Sequence, residues 1–347
     1  MIILNEIKIK YDHLDTLLEE KLQDIRFSNN VNVIIDLKEI YRKFFRPNML
    51  TVEGSKKLII EEISSDVINI ISHYRNYFYK KGKYSSFYFL YSKEECEIFK
   101  KIYPEYKKSH YEKHFDSIED ADKIAILKKV TEVLEKIIPN IPNTIFINTS
   151  KYDEFVVAKF IVAKSNSNEI NIVLSNDEVF TQLVDGHTFL LNIKGINTDL
   201  VDSSNAVANI TKSKSKLSSN MIPFILAFGG TKHYSLNNFP GIALIKAVNI
   251  IEQLLKENSL SDNSFVEFPE FDKTQNTFIL ENYNELKLNY EIITGNKVLF
   301  SNTTDISTLF NKPKAPHSWN YFLELNSKIF TNFPLMLDMM LKGETAV

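Results

Sequence analysis

Two aspartates raise the question of chemistry. Asp36 ends the apolar run Val31-Asn32-Val33-Ile34-Ile35, and Asp177 lies just past a second run, Ile170–Leu174. In open parallel sheets ligands gather beyond the carboxyl ends of the strands. A carboxylate placed there offers the hard oxygen that Mg²⁺ takes as a ligand. Taken singly, an Asp after a strand suits a turn or a helix cap as well, and that is its commoner role. A second chemistry is suggested between Lys100 and Lys113, where lysines are interleaved with Tyr103, Tyr106 and Tyr111, with Phe115 just beyond. Bases stack on aromatic faces while lysines track phosphates, so the segment reads as a single-strand contact, set against the plainer reading of a solvated charged face. His110, His114 and His233 have no metal-ligand spacing and read as surface or turn residues.

The elements that must position these groups follow from periodicity. Strands are expected at Val31–Asp36, Ser86–Tyr91, Thr144–Asn148, Ile170–Leu174 and Thr188–Ile193. Helices are expected from about Leu58 to Phe78, over Asp120–Ile138 (closed by Pro139 and Pro142), over Asp153–Ala163 and, as a short piece, over Glu178–Leu183. Strands alternating with helices predict an α/β fold with a largely parallel central sheet covered by helices. Ser203–Ser219 is polar and dotted with lysines and reads as a connector. Ile222–Glu257 reads as helical with a turn in the middle. Asn258–Val347 reads as less regular and wrapping back over the sheet, with Trp319, the single tryptophan, as a packing anchor.

Composition narrows the class. At 347 residues, 44% hydrophobic and 24% charged, the chain can bury a sizeable core. A lone cysteine, Cys96, excludes an internal disulfide and a cysteine zinc site and fits a reducing, cytoplasmic setting. No signal peptide and no membrane-spanning run is read, which excludes a membrane partner. Net charge is −3, yet basic clusters stand at Tyr41–Arg46, Tyr79–Tyr84 and Lys100–Lys113, and local patches set the field that a phosphate backbone meets. Abundant Asn, Ile and Lys with few Gly suggests an AT-rich coding genome, viral genomes among them.

Read in order, five segments resemble the flap-endonuclease and phage 5′→3′ exonuclease family, a PIN-like nuclease group. Ile34-Ile35-Asp36, leading into Tyr41-Arg42, is similar to its opening motif. Ile102-Tyr103-Pro104-Glu105-Tyr106-Lys107-Lys108 is similar to the Tyr-Pro-Glu-Tyr-Lys segment that leads into the helical arch. Tyr152-Asp153-Glu154 stands where that family has Glu-Ala-Asp-Asp. Ser175-Asn176-Asp177-Glu178-Val179-Phe180-Thr181-Gln182-Leu183 resembles Ser-Ser-Asp-Lys-Asp-Phe-x-Gln-Leu. Pro223–Gly230 together with Asn237–Ala247 looks like the helix–turn–helix lobe that holds duplex DNA.

The resemblance implies a nuclease-like core over residues 1–200 with an arch-like segment near 93–116, a helix–turn–helix lobe over 201–260, and a C-terminal extension over 261–347 that packs on the core. It implies metal-assisted phosphodiester hydrolysis, for which carboxylates hold Mg²⁺, ideally as a pair of ions. Asp36, Asp153, Glu154 and Asp177 are the catalytic and metal-binding candidates. Arg42, Lys107, Lys108, Gly241 and Lys246 are the DNA-binding candidates, with a K⁺ ion at the turn near Gly241. Several of the family's acids are missing: they fall on Tyr91 or Ser92, Lys151, Val179, Gly230 and Asn237. Four acids suffice for one Mg²⁺ and fall short of two, and Lys151 would bring a cation close by. The expectation is a protein that binds branched or single-stranded DNA with lost or weakened nuclease activity, as a component of a DNA-processing or transcription assembly. An active Mg²⁺-dependent 5′→3′ exonuclease or flap endonuclease is the alternative, and a protein–protein scaffold the third reading.

Overall fold

The structure, a computed structural model, describes residues 30–37, 59–61, 63–64, 67–68, 84–92, 96–104 and 118–310, the last range with short gaps at 142, 195–196, 232–233, 235, 237, 264, 266 and 272–275. Its centre is β1 (Asn30–Asp36), a run with no exposed residue beyond Asn30, as expected of a strand covered on both faces. β2 (Tyr84–Tyr91) and β3 (Thr144–Asn148) lie to one side. β4 (Ile170–Leu174), β5 (Thr188–Lys194) and β6 (Asn197–Val201) lie to the other, giving the order β3-β2-β1-β4-β5-β6. All pairings are parallel except β5 with β6. The expected largely parallel sheet is therefore present. β6 was not expected: only Gly195 and Ile196 separate it from β5, and its short polar sequence Asn-Thr-Asp-Leu-Val carries little apolar signal.

Strand parity divides the core. Val31, Val33 and Ile35, with Phe87, Phe89, Phe146, Ile172 and Leu174, face one helical layer. That layer comprises the helical residues of 59–68 and the helix Ile118–Ile137, whose Ile126, Val130 and Leu134 recur every four positions. Ile34, Leu90, Ile147, Val173 and Leu190 face the other layer, built from more helices. We number the described helices in chain order: α1 (Glu97–Ile102), α2 (Ile118–Ile137), α3 (Glu154–Lys164), α4 (Ala206–Thr211), α5 (Ile222–Gly229), α6 (Leu244–Lys256), α7 (Thr277–Glu281), α8 (Tyr283–Thr294), α9 (Asn296–Ser301) and α10 (Thr303–Thr308).

Three sequence expectations change. Within the expected connector Ser203–Ser219, Ala206, Val207 and Thr211 are buried as α4, and Asn205 ties that helix to Leu200 and Asp202 through its side chain. The chain after Asn258, irregular in its described part up to Asn276, is helical over most of Thr277–Thr308. Leu286, Tyr290 and Ile293 place an apolar stripe of α8 in the main core, and Asn289 Nδ2 donates to the Ala227 carbonyl at 3.1 Å. The segment Lys93–Lys113, which shows no clean periodicity, carries α1 in its described part. Residues 178–183 form a 3₁₀ turn, and Trp319 lies outside the described residues.

α3 packs against the turn between α8 and α9. Gly295, between α8 and α9, is left-handed at φ 59°, and a Cβ there would stand 2.6 Å from Val156 Cγ2 of α3. Lys159 of α3 donates to the Thr294 carbonyl at 2.9 Å and to Asn296 Oδ1 at 2.6 Å, and burial pushes its ammonium down to about 8. Two outcomes follow. Gly295→Ala should lose about 2–4 kcal/mol in urea unfolding, from a left-handed Cβ pressed against a stiff β-branched neighbour. Between pH 8 and 10.5 the unfolded chain binds more protons at Lys159 than the folded one does, so this residue makes stability rise with pH across that window. Unfolding of Lys159→Met followed against pH should lack that rise.

Candidate functional site

The sheet's connections reverse direction between β1 and β4, the crevice where open α/β sheets collect ligands. Asp36 and Asp177 stand there. Asp36 follows the parity of Ile34 and so turns to the α3 layer, and its Oδ2 accepts a hydrogen bond from Ser175 Oγ at 2.8 Å. That same Ser175 Oγ accepts from the Asp177 backbone N–H at 3.1 Å. One hydroxyl thus links the ends of the two adjacent strands. Asp177 Oδ1 caps the following 3₁₀ turn by accepting from Val179 N–H at 2.9 Å. The capping role suggested by its local sequence is real and coexists with a place in the crevice.

Asp153 is the N-cap of α3, accepting from Phe155 N–H at 2.9 Å. Its backbone is at φ 77°, ψ 149°, a region that a non-glycine residue enters at a cost of about 1–3 kcal/mol and that clusters at functional sites. The strain is held in place by Tyr234, which the sequence reading missed. Its hydroxyl donates to Asp153 Oδ1 at 3.1 Å, and its ring is fully buried. Burial, together with the negative charges of Asp153, Asp177 and Glu154, holds the phenol well above its usual range, so it remains a donor. Tyr234 belongs to Thr231-Lys232-His233-Tyr234, which carries no local signature; only its fold position marks it.

The four predicted acids are therefore buried, at 4%, 2%, 5% and 5% exposure for Asp36, Asp153, Glu154 and Asp177, and they gather around two hydroxyls, Ser175 and Tyr234. They do not form a closed ligand set. Among the described residues no group of three or more His, Cys, Asp or Glu side chains is arranged to hold a metal ion. Among the described residues the donors fall short of the paired-ion arrangement that phosphodiester hydrolysis favours.

Positions where the resemblance finds an acid missing have other duties. Tyr91 shares the parity of Phe87 and Phe89 and points to the α2 layer, where its hydroxyl donates to Glu135 Oε1 at 2.8 Å and its ring lies 4.3 Å from Phe146. The Lys151 ammonium, expected near the acids, is solvent-exposed and pairs with Asp305 Oδ2 of α10 at 3.2 Å, above the Tyr152 ring. Glu178, beside Asp177, accepts from Thr231 Oγ1 at 2.7 Å.

Of the DNA-binding candidates, Arg42, Lys107 and Lys108 lie outside the described residues. Gly241 and Lys246 are exposed together: Lys246 Nζ is 3.9 Å from where a Gly241 Cβ would lie, and Gly241 has φ 75°. α5 and α6 pack closely where Gly229 meets Leu244, but residues 230–243 join them, longer than the short turn of a helix–turn–helix. A specific lobe of that kind is not distinguished.

Solved structures share this architecture. The bacteriophage T5 D15 protein co-crystallised with metal ions superposes with a TM-score of 0.52 at 13% identity, covering 89% of this chain and 99% of its own. The bacteriophage T5 D15 flap endonuclease, as a pseudo-enzyme–product complex with DNA and metal ions, gives 0.55 over the same shares and at the same identity. The chain shares the fold of these phage T5 proteins. T5 5′-exonuclease with bound zinc adds a third example at 0.52, with 90% and 99% coverage and 13% identity. No protein-family model matches the sequence, and no curated protein matches it either. Among the described residues no helix is long and apolar enough to cross a membrane.

Within this fold the strained N-cap yields a measurable contrast. Asp153→Gly and Asp153→Ala both lose the cap and the Tyr234 acceptor, but only glycine relieves the positive φ. Asp153→Gly should be the more stable of the two by about 1 kcal/mol in denaturant titrations.

Proposed function

We propose that the chain binds branched or single-stranded DNA through the 5′-nuclease fold and has lost or weakened hydrolysis, acting as a component of a DNA-processing or transcription assembly. The observation that carries the reading is the state of the acidic centre. Its four carboxylates sit at the crevice, yet no three ligating side chains converge among the described residues. The neighbouring positions Tyr91 and Lys151 are committed to Glu135 and Asp305. In this reading residues 1–200 are the nuclease-like core, with the arch-like segment near 93–116 supplying Lys107 and Lys108. Residues 201–260 hold duplex DNA at Gly241 and Lys246, and 261–347 pack on the core. The exposed start of α6, with left-handed Gly241 beside the Lys246 ammonium, suits a backbone phosphate. K⁺ near Gly241 belongs to the same reading, whereas a single Mg²⁺ held by one or two of the acids with water belongs to the alternative of an active enzyme.

The test is a gel-shift and cleavage series with 5′-labelled flap, nicked duplex and single-stranded DNA in Mg²⁺ or Mn²⁺. Flap binding should weaken steadily with salt, since phosphate contacts release counterions, and Lys246→Ala should lower the salt slope by about one contact. Cleavage should be absent or very slow and the same in Asp177→Asn. Rapid cleavage lost in Asp177→Asn would instead establish an active exonuclease or flap endonuclease. Neither binding nor cleavage would favour a protein scaffold.

A further inference from the structure

We propose that this chain closes its own acidic centre with a phenol: the Tyr234 hydroxyl, donating to Asp153 Oδ1, takes the place that a divalent cation would need at that carboxylate. The inference rests on the reading of lost or weakened hydrolysis and supplies a cause for it.

Buried carboxylates require a donor or a cation. Asp153 Oδ1 has two donors, the Phe155 N–H at 2.9 Å and the Tyr234 hydroxyl at 3.1 Å. Tyr234 is not a surface side chain that happens to reach inward. Its ring is fully buried, with its centroid 6.4 Å from that of Phe99 in α1. The backbone around it is fastened on both sides. Thr231 and Leu236 exchange hydrogen bonds at 3.0 and 3.1 Å, closing 231–236 into a small loop. Thr231 Oγ1 then donates to Glu178 Oε1 at 2.7 Å, anchoring that loop to the residue beside Asp177. Two hydroxyls of one loop thus bind two acids of the centre's rim, one on each side of the crevice. Burial and the surrounding carboxylates hold the phenol above its usual range. A neutral donor quiets the carboxylates without adding the charge that hydrolysis of a phosphodiester would draw on.

The experiment compares wild type, Tyr234→Phe and Thr231→Val by Mn²⁺ calorimetry and by thermal unfolding with and without Mn²⁺, with flap-DNA binding measured beside them. Wild type should show no Mn²⁺-dependent rise in Tm. Tyr234→Phe keeps the ring and removes the donor, so its Mn²⁺ affinity should exceed that of wild type at least about tenfold, the scale of one hydrogen bond to a charged acceptor. Its Tm should rise with Mn²⁺ accordingly. Adding Asp153→Asn to Tyr234→Phe should abolish the gain. If Tyr234→Phe does not fold, Thr231→Val decides, because it keeps the phenol and only unfastens the loop; it too should gain Mn²⁺ affinity. Wild type binding Mn²⁺ as tightly as the variants, or no gain in either variant, overturns the proposal. Retained flap binding alongside that result leaves the DNA-binding reading standing. Cleavage by wild type refutes weakened hydrolysis, while the Mn²⁺ titrations still decide the role of Tyr234.

Discussion

Four carboxylates buried at one end of a parallel sheet are the constraint around which this structure is organised. Such groups are tolerated only where donors or cations offset the loss of water. Two hydroxyls contribute here, and each arrives by a different route. Ser175 follows directly on β4 and spans the gap to Asp36. Tyr234 comes from the segment between α5 and α6 and reaches Asp153 from the far side. The sheet places the acids, and the helical layer places their donors.

α3 transmits this arrangement through the molecule. It starts at the strained Asp153 in the crevice and packs at Val156 against left-handed Gly295. It ends at Ser165, whose hydroxyl donates to Asn171 Oδ1 at 2.8 Å and accepts from Asn32 Nδ2 at 3.1 Å, near the N-terminal ends of β1 and β4. Asn32 also donates to Asn171 Oδ1, so β1, β4 and α3 are tied by polar contacts at one end of these strands and by the acidic centre at the other. A helix pinned at both ends can hold its first residue in an unfavourable backbone region, which an isolated N-cap could not sustain.

The fold is shared with the phage T5 proteins, but a fold does not carry its chemistry with it. Chemistry lives in where each side chain points. Tyr91 is one residue from the crevice in sequence, yet strand parity sends it to the α2 layer. Lys151 is two residues from Asp153, yet its ammonium reaches out to Asp305.

Much of this was legible in the residues. The largely apolar runs of β1 and β4, each followed by an acid, determined the central strands and the crevice, because a strand buried on both faces is mostly apolar along its length. Asp153 and Glu154 were reached only through order and resemblance, since first-turn acids are ordinary in any helix. β6 escaped because a short polar segment takes its shape from the surface it covers, and α4 because its six residues, Ala206–Thr211, are set in polar, lysine-dotted sequence. α7–α10 escaped because their stripes gain meaning only against α5 and the rest of the core. Tyr234 could not be read at all: a tyrosine in a Gly-Gly-Thr-Lys-His context has no period and no partner in sequence. Its partner, Asp153, lies 81 positions away. The sequence by itself determined which acids stand at the strand ends. Tertiary structure alone decided what fills the space between them, because that space exists only where the loop after α5 folds back over the sheet.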